Sequence, residues 1–258
     1  LSQPGIGDIP EAERERFLPI GELQFAYEDF MDCASRGPVN IFEAKFTYAY
    51  TRRLFSDENM KWLNDNGYVR SAGRIEFSDR FHAILSGTTR AGNSIKAPLE
   101  SMRANGMIPK WMLPMKPGMT FDQYHDSTKI TQKMRDLGAE FKARFTLNYE
   151  KVLQIHFKEF LKDDLCDVGV HGWPQPVDGV YPRTDAPFNH VVAMIRPAYY
   201  IFDNYYDAGV SGDFIKKLAP DFLFWDYGYR CYISKEQVPS KTTTLLSLYQ
   251  QLVDALTR

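Results

Sequence analysis

A cysteine and a histidine in this chain of 258 residues are placed where they could act together on an acyl group. Cys33 stands just ahead of the strongest helical pattern, in DCASRGPVNIFEAKF. A thiol at a helix N-terminus is stabilised as the nucleophilic thiolate by the positive end of the helix dipole. His190 opens the apolar run NHVVAMI after a loop rich in Pro and Asp, where a histidine can take the thiol proton. Each residue also has a structural alternative, a small buried thiol for Cys33 and a hydrogen-bonded strand end for His190.

Two further residues could orient the histidine. Asn204 follows the next strand pattern, YYIFDNY, and the end of that strand lies near His190 if the two strands pair in antiparallel fashion. A side-chain acceptor there would fix the tautomer of the ring. Asp203 is adjacent, and because neighbours on a strand point to opposite faces, only one of the two should face His190. We expect Asn204 in this role, with Asp203 and His171, the latter in VGVHGW, as alternates.

The elements that must position these residues divide the chain into a helical part and a β-rich part. Four short apolar patterns with period two, LCDVGVHGW, NHVVAMIR, YYIFDNY and YRCYIS, predict strands. Periodicity near 3.6 predicts a helix after Pro38, another over 57–65, two on either side of a Gly-rich turn within 78–106, one over about 124–147, and at 149–161 a short helix or a helix that feeds a strand. We therefore expect one α+β domain over 1–258, with an extended arm (1–20), a helical lobe (about 21–160) and a β-rich lobe ending in a helix (about 161–258).

Composition excludes several classes of function. Lys and Arg number 31 against 33 Asp and Glu, a net charge of −2, and the dense aromatic residues have no basic track beside them, so nucleic-acid binding is not expected. No apolar window reaches the length of a membrane span, and the first 30 residues lack a signal-peptide pattern. His82, His125 and His156 have no ligand spacing to one another, and H-x-x-x-H and C-x-x-C are absent. We expect a soluble protein without a metal or cofactor, and no feature indicates an oligomeric state.

The three cysteines predict a free thiol rather than a disulfide scaffold, because their number is odd for a chain of this length. Cys166 and Cys231 fall inside strand patterns, where we expect them to pack in the core. The absence of a disulfide pattern favours a reducing compartment. The first residue, Leu1 rather than Met, leads us to expect a processed or shortened chain.

A cysteine before a long helix, followed far downstream by a histidine and an asparagine on consecutive strands, is the order of the papain arrangement. On these residues the chain resembles the papain-like cysteine peptidases over about 20–235. The stretch from FSDRFHAIL to GMIP resembles the family's Gly-rich turn between two helices, NHVVAMI its N-H-A-V strand, YIFDNYYDAG its W-x-x-x-N-S-W-G segment, and WDYGYRCYIS its closing hairpin. The resemblance implies a papain-like fold of two lobes, helical and antiparallel β, with the active-site cleft between them. The departures from the family's motifs are those expected of a divergent member, of a bacterial or bacteriophage type.

The same resemblance implies a thiolate acyl-enzyme mechanism on an extended polypeptide substrate, with Cys33, His190 and Asn204 as the triad. The family's oxyanion Gln stands six residues before the cysteine, where this chain has Tyr27. Gln24, nine residues before Cys33, could serve only if the loop were three residues longer. An aromatic shield over the histidine would come from Tyr205, Tyr206 or Trp225. Two alternatives stay open because the nucleophile stands in M-D-C-A-S rather than C-G-S-C-W: an inactive domain used as a structural or binding module, and an amidase or transamidase.

Overall fold

The computed structural model describes residues 4–21, 23–24, 27–172, 175–205 and 214–238. The C-terminal helix that the sequence predicts and Tyr206 lie outside these described residues. Two kinds of element make up the described chain: short helices that dominate the first 144 residues and strands that dominate the rest. This order confirms the α+β class.

The α-helices are mostly short, and one of them, α2, is much longer than its neighbours. Single turns of 3-10 helix separate several of them. The α-helices are α1 (Arg14–Phe17), α2 (Cys33–Thr51), α3 (Asp57–Asp65), α4 (Asp79–Leu85), α5 (Lys96–Asn105), α6 (Phe121–Tyr124), α7 (Gln132–Arg144) and α8 (Phe157–Asp163). The 3-10 turns are Glu11–Glu13, Ser71–Gly73, Lys110–Met112, Ser127–Lys129 and Gln154–His156.

Helix α2 is the central element, and it begins at Cys33 rather than after Pro38. Pro38 lies inside the helix, where it removes the one hydrogen bond that its N–H would have donated four residues back. The helix tolerates this loss because residues 34–47 are buried on all sides, and tertiary packing rather than propensity provides most of a helix's stability. The carbonyl of Asp32 accepts the N–H groups of Ser35 and Arg36 (2.8 and 3.0 Å), so Cys33 is the first residue of the first turn.

The strands form one seven-stranded sheet in the order β1-β7-β2-β4-β5-β6-β3. All neighbours are antiparallel except the short β3–β6 pair. The strands are β1 (Phe145–Leu153), β2 (Cys166–His171), β3 (Val180–Tyr181), β4 (Phe188–Arg196), β5 (Tyr200–Phe202), β6 (Ile215–Leu218) and β7 (Phe224–Glu236). The four predicted strands correspond to β2, β4, β5 and β7, and the predicted helices α3, α4 and α5 are also confirmed.

Strand β1 corrects the sequence prediction of a helix over 149–161. The chain is extended from Phe145 to Leu153 and pairs along its whole length with β7; only Phe157–Asp163 is α-helical. The helix predicted over 124–147 is likewise limited to α7 and the short turns before it. Residues 145–153 form a strand because they pair with a strand more than 70 residues away. A local sequence pattern does not show such pairing. The sheet consequently begins before the expected lobe boundary near residue 160.

The two faces of the sheet pack against different helices. On β4, Val191, Ala193 and Ile195 belong to the main hydrophobic cluster, which includes α2. Val192 and Met194 belong to a second cluster with α8. Alternation along a strand thus divides the core in two, and α2 lies across one face with its N-terminus directed at the start of β4.

The N-terminal arm is packed against both parts of the molecule. The N–H of Ile6 donates to the carbonyl of Ile233 on β7 (2.8 Å). The buried guanidinium of Arg14 in α1 donates to four backbone carbonyls at 2.5 to 3.1 Å, those of Ile9, Leu161, Lys162 and Ile195. Because a buried cation is costly unless hydrogen-bonded, this set of acceptors fixes the arm against α8 and β4.

Candidate active site

Cys33 is half-buried at the N-terminus of α2 and borders a cavity of about 120 Å³ that opens to solvent. The loop before it turns sharply at Met31, whose φ of 53° is unusual for a residue other than glycine. The N–H of Met31 donates to the carboxylate of Asp29 (2.7 Å), which stabilises the turn. The loop therefore presents the sulfur to the cavity at the positive end of the longest helix.

His190 lies at the start of β4, nine-tenths buried, and its ring is hydrogen-bonded to the side chain of Cys33. Its Nε2 is bound to Oδ1 of Asp203 at 2.6 Å, which leaves Nδ1 for the sulfur. Burial by itself lowers the pKa of His190, but the carboxylate of Asp203 and the sulfur of Cys33 outweigh burial and raise the pKa to about 10. The imidazole is therefore held in its protonated form at neutral pH, the form that stabilises a neighbouring thiolate.

Asp203 follows β5 and is almost completely buried. One carboxylate oxygen holds His190, and the other accepts from the ammonium of Lys216 on β6. Burial raises the pKa of Asp203, but His190 and Lys216 outweigh burial and hold the pKa below its usual value. The carboxylate is thus ionised and shared between two cationic partners.

Asn204, the expected partner of His190, is turned toward helix α2 instead. Its Oδ1 accepts from Nδ2 of Asn40 (2.7 Å), and its backbone carbonyl accepts the N–H of Gln24 (3.0 Å). The structure therefore corrects the expectation: the residue bound to His190 is Asp203, the alternate that the sequence left open.

The register of the sheet explains why Asp203 rather than Asn204 meets His190. Ile201 pairs with Met194 of β4 and with Lys216 of β6, and residues two apart on a strand share a face. His190, Asp203 and Lys216 consequently have the same phase in the pleat, and Asn204 has the opposite phase. The sequence did not indicate which phase belongs to the histidine, since that depends on the alignment of three strands.

Tyr205 covers the pair formed by His190 and Asp203. Its ring centroid lies 5.0 Å from that of His190, and its hydroxyl donates to Oδ2 of Asp29. Burial and the carboxylate of Asp29 raise the pKa of Tyr205, so the hydroxyl stays protonated and can donate. An aromatic residue two positions after the orienting residue matches the N-S-W order when the match is shifted by one, to D-N-Y. The order D-N-Y is visible in the sequence, but it was not used because Asn204 was matched to the orienting residue.

Gln24 is buried beside Asp29 and Tyr205. Its Nε2 donates to Oδ1 of Asp29 (3.0 Å) and to the hydroxyl of Tyr205 (3.1 Å), and its Oε1 has no hydrogen-bond partner among the described residues. Both amide protons are thus directed at these neighbours. Asp29, Asn40 and Lys216 are site residues that the sequence did not reveal, because a single Asp, Asn or Lys carries no local signal.

His171, the other alternate, is not brought to the cavity. It stacks on Phe188 with ring centroids 3.6 Å apart, and its Nδ1 is buried without a hydrogen-bond partner in the described chain. The cavity itself is mostly apolar around Cys33 and His190. Its other lining residues are Met31, Ala91, Gly92, Asn93, Ile95, Gly169, Phe188, Asn189, Val191 and Trp225.

The other two cysteines pack in the sheet, as the sequence predicts. Cys166 on β2 and Cys231 on β7 are buried and free, and burial raises the pKa of both thiols well above the ordinary value. In the described chain, His, Cys, Asp and Glu side chains do not assemble into a group of three that could ligate a metal ion. Within the same ranges, every helix is too short or too polar to cross a lipid bilayer.

Comparison with known proteins identifies the fold. No protein-family model and no curated protein matches the chain. The crystal structure of xylellain, a cysteine protease from Xylella fastidiosa, matches 91% of this chain and 100% of its own with a TM-score of 0.51 and 12% identity. A structure from work on the mite allergens Blo t 1 and Der p 1 covers 91% and 72% (TM-score 0.48, 11% identity), and digestive procathepsin L 3 of Tenebrio molitor larval midgut covers 90% and 71% (0.46, 11%). The match to xylellain confirms that the chain has the papain-like α+β fold.

Proposed function

We propose that the protein is a cysteine peptidase that cleaves peptide bonds through an acyl-enzyme on Cys33. The observation that carries the proposal is the continuous contact from Cys33 to His190 to Asp203, at the N-terminus of a long helix and beside a cavity. A papain-like fold supports it, and xylellain, which has this fold, is a cysteine protease. In this proposal Asp203, and not Asn204, orients His190.

The geometry is suited to nucleophilic attack by sulfur. The thiolate of Cys33 would add to the carbonyl carbon of the scissile amide and form an S–C bond, while the carbonyl electrons move to oxygen. As the intermediate collapses, His190 gives its proton from Nδ1 to the departing nitrogen, and the C–N bond breaks. His190 then takes a proton from water, whose oxygen attacks the thioester; the S–C bond breaks, the acid product leaves, and the thiolate and the imidazolium are restored. Asp203 holds Nε2 throughout and keeps the ring aimed at the sulfur.

The oxyanion would be held by the N–H of Cys33 and by Gln24. Backbone N–H groups at a helix N-terminus have no partner within the helix and can donate to a developing negative charge. Gln24 can join them only if its Nε2 gives up Asp29 or Tyr205 for the substrate oxygen. We infer that this exchange occurs on substrate binding, since catalytic hydrogen bonds commonly tighten only in the complex.

The substrate class follows from the cavity. An apolar wall built from residues such as Ile95, Phe188 and Trp225 lines the cavity beside Gly92 and Asn93. A polypeptide in extended conformation would place a side chain against this wall and its carbonyl carbon at Cys33. The cavity has little charge, which favours an apolar side chain over an acidic or basic one.

A second candidate function is that of a papain-like module that binds polypeptide without cleaving it. The specific observation in its favour is that both amide protons of Gln24 are engaged, so the oxyanion site is incomplete as it stands. A third outcome, transfer of the acyl group to an amine instead of water, would use the same acyl-enzyme.

The decisive experiment maps an epoxide inhibitor of papain-class peptidases onto the protein by mass spectrometry and follows cleavage of a mixed peptide library. The peptidase proposal expects one label on Cys33, its loss in Cys33→Ala, and new peptide termini. Cys231→Ala is the matched control and should keep the label, because that thiol is buried. Labelling of Cys33 with amide products and no new acid termini indicates the transferase. No label, with the peptides still bound, would contradict the proposal and favour the binding module.

A further inference from the structure

Lys216 is a buried lysine next to the candidate active site, and the proposed function does not yet account for it. It lies on β6 with only 2% of its surface exposed, whereas its neighbour Lys217 is exposed. Burying an ammonium costs several kcal/mol unless it is paired and hydrogen-bonded, so a buried lysine at this position requires a compensating partner.

The partners of Lys216 belong to the segment that orients the histidine. Its Nζ donates to Oδ2 of Asp203 and to the backbone carbonyl of Tyr205 (2.6 Å). Asp203 uses its other oxygen for Nε2 of His190. One ammonium therefore fixes both the carboxylate that holds the imidazole and the backbone of the residue whose ring covers it.

The charges around His190 show what this contact would do. Facing the imidazole are Cys33 from α2, Asp203 from the end of β5 and the ring of Tyr205; facing Asp203 are His190 and Lys216 from β6. A buried carboxylate on its own holds the imidazolium proton strongly. In the proposed reaction His190 must release that proton to the leaving amine, so a proton held too strongly slows this step.

We propose that Lys216 is a positioning residue that offsets part of the charge of Asp203, so that the carboxylate orients His190 without holding its proton as strongly as an unshared carboxylate would. This inference rests on the proposed function of Cys33 and His190. It explains why the orienting residue is an aspartate here: the pair formed by Asp203 and Lys216 is neutral as a whole, and it provides an acceptor for Nε2 without an excess negative charge.

Alkylation of Cys33 by iodoacetate tests the proposal without a known substrate. The reagent is an anion, so its reaction with the thiolate is favoured while the imidazolium is present and slows as His190 loses its proton. The midpoint of this decline on the alkaline side reports the proton affinity of His190. In Lys216→Met the midpoint should rise by about one pH unit, because Asp203 is no longer shared. Lys216→Arg keeps the charge and should restore the wild-type midpoint, and Lys217→Met is the matched control on the same strand and should not change it.

The variant Asp203→Asn and the double variant Asp203→Asn/Lys216→Met complete the cycle. The single change leaves an unpaired ammonium near His190 and should lower the midpoint by more than one pH unit, on the order of a tenfold change in proton affinity. The double variant removes both charges and should return the midpoint toward wild type. Equal midpoints in Asp203→Asn and in the double variant would overturn the proposal even if Lys216→Met does not fold.

The same data separate the two proposals. If Cys33 of the wild type reacts no faster than a free cysteine at every pH, the proposed function itself fails. If Cys33 reacts rapidly and its midpoint is unchanged in a folded Lys216→Met, the proposed function stands and Lys216 is only a structural residue. A rise in Lys216→Met that Lys216→Arg reverses supports both proposals.

Discussion

Two clusters of buried charge lie beside helix α2, and they differ in the kind of group that each contains. The first, here called the arm cluster, consists of Asp8, Lys45, Asp164 and Arg230. The ammonium of Lys45 lies 2.6 Å from Asp8 and 2.6 Å from Asp164. Arg230 donates to the same two carboxylates at 2.7 and 2.6 Å. These four side chains join the N-terminal arm to α2, to the C-terminal end of α8 and to β7.

The second, here called the site cluster, consists of Cys33, His190, Asp203 and Lys216. Two of its members, the thiol and the imidazole, are the groups that exchange protons in the proposed reaction, whereas the arm cluster contains only carboxylates, a lysine and an arginine. In the arm cluster, burial raises the pKa of Asp8, but Lys45 and Arg230 outweigh burial and hold it below its usual value. The ionised form of Asp8 is thus favoured by its two cationic partners.

The contrast shows how one physical device, a carboxylate shared between two cations, can serve either stability or chemistry. In the arm cluster Asp164 is shared between a lysine and an arginine, neither of which gives up a proton near pH 7. In the site cluster Asp203 is shared between a lysine and a histidine. The site cluster has an imidazole where the arm cluster has a second lysine or arginine. In the proposed reaction this imidazole exchanges protons with the substrate, whereas the arm cluster only stabilises the fold.

The largest expected effect is on the imidazole. His190→Ala removes the proton donor and acceptor of the site cluster and should lower the rate of cleavage of the mixed peptide library at pH 7 about 10²-fold to 10⁴-fold. The fold should survive, because Asp203 keeps Lys216 as a partner. His171→Ala is the matched control, since His171 is also a buried strand histidine but does not itself line the cavity, which it reaches only through Phe188. Equal losses of rate in the two variants would remove the distinction between the two histidines.

The next largest effect belongs to the arm cluster and should appear in stability instead of reactivity. Lys45→Met leaves the buried carboxylate of Asp164 and the partly buried one of Asp8 with one cation between them, and breaking a buried network in this way costs about 3–5 kcal/mol. Urea unfolding followed by circular dichroism gives the free energy of unfolding. In the folded fraction of the variant, iodoacetate should alkylate Cys33 at the wild-type rate. A loss of reactivity with unchanged stability would mean that the arm cluster belongs to the site.

The sequence predicted the parts of this comparison that depend on local pattern. Cys33 at a helix start and His190 at a strand start follow from periodicity, and the helical and β-rich halves follow from where period 3.6 gives way to period two. The orienting residue did not follow, because choosing between Asp203 and Asn204 requires the register of three strands. Lys216 was not predicted because β6 was not among the predicted strands, and a lysine can be recognised as buried only when its partner across the sheet is known.

Strand β1 was missed for a related physical reason. Its sequence, FTLNYEKVL, follows a helix directly, and it becomes a strand by pairing with β7 across the whole of its length. Pairing over such a sequence separation is a tertiary effect, which overrides weak local preference. The site depends little on β1, so the candidate residues could be proposed although this part of the sheet was not.

Asp167 is a further buried carboxylate, and it differs from Asp164 and Asp203 because no cation or hydrogen-bond donor is found beside it among the described residues. Neither of its oxygens has a hydrogen-bond partner among the described residues, and a Cβ at Gly37 would come within 2.2 Å of Oδ1, so the carboxyl group abuts helix α2. Burial raises the pKa of Asp167 well above its usual value, and the sulfur of Cys33 adds to this effect. We therefore expect a protonated, neutral Asp167 in the folded protein at mildly acid pH.

The consequence is a stability that falls as the pH rises. The folded protein holds the proton of Asp167 more tightly than the unfolded chain does, so the contribution is complete below the unfolded pKa of about 3.9 and is lost as the pH rises through the higher folded pKa. Over that interval the wild type should lose about 1.4 kcal/mol per pH unit relative to Asp167→Asn. Urea unfolding of both proteins at pH 5 and pH 6 gives the two slopes. Parallel curves would show that Asp167 is ionised or partnered in the folded state.

The smallest change in the free energy of unfolding is expected at an ion pair that is exposed to solvent rather than buried. Lys61 donates to Asp65 one turn later in α3 at 2.6 Å, and both side chains are more than half exposed. Water already solvates both charges, so Lys61→Met should change the free energy of unfolding by no more than about 0.5 kcal/mol, and 1 M NaCl should abolish the difference. The loss in Lys45→Met should persist in the same salt, because ions do not reach a buried pair. If 1 M NaCl removes the change in the free energy of unfolding in both variants, the arm cluster is as solvated as a surface pair. Burial would then not explain why one charged cluster stabilises the fold and the other pair does not.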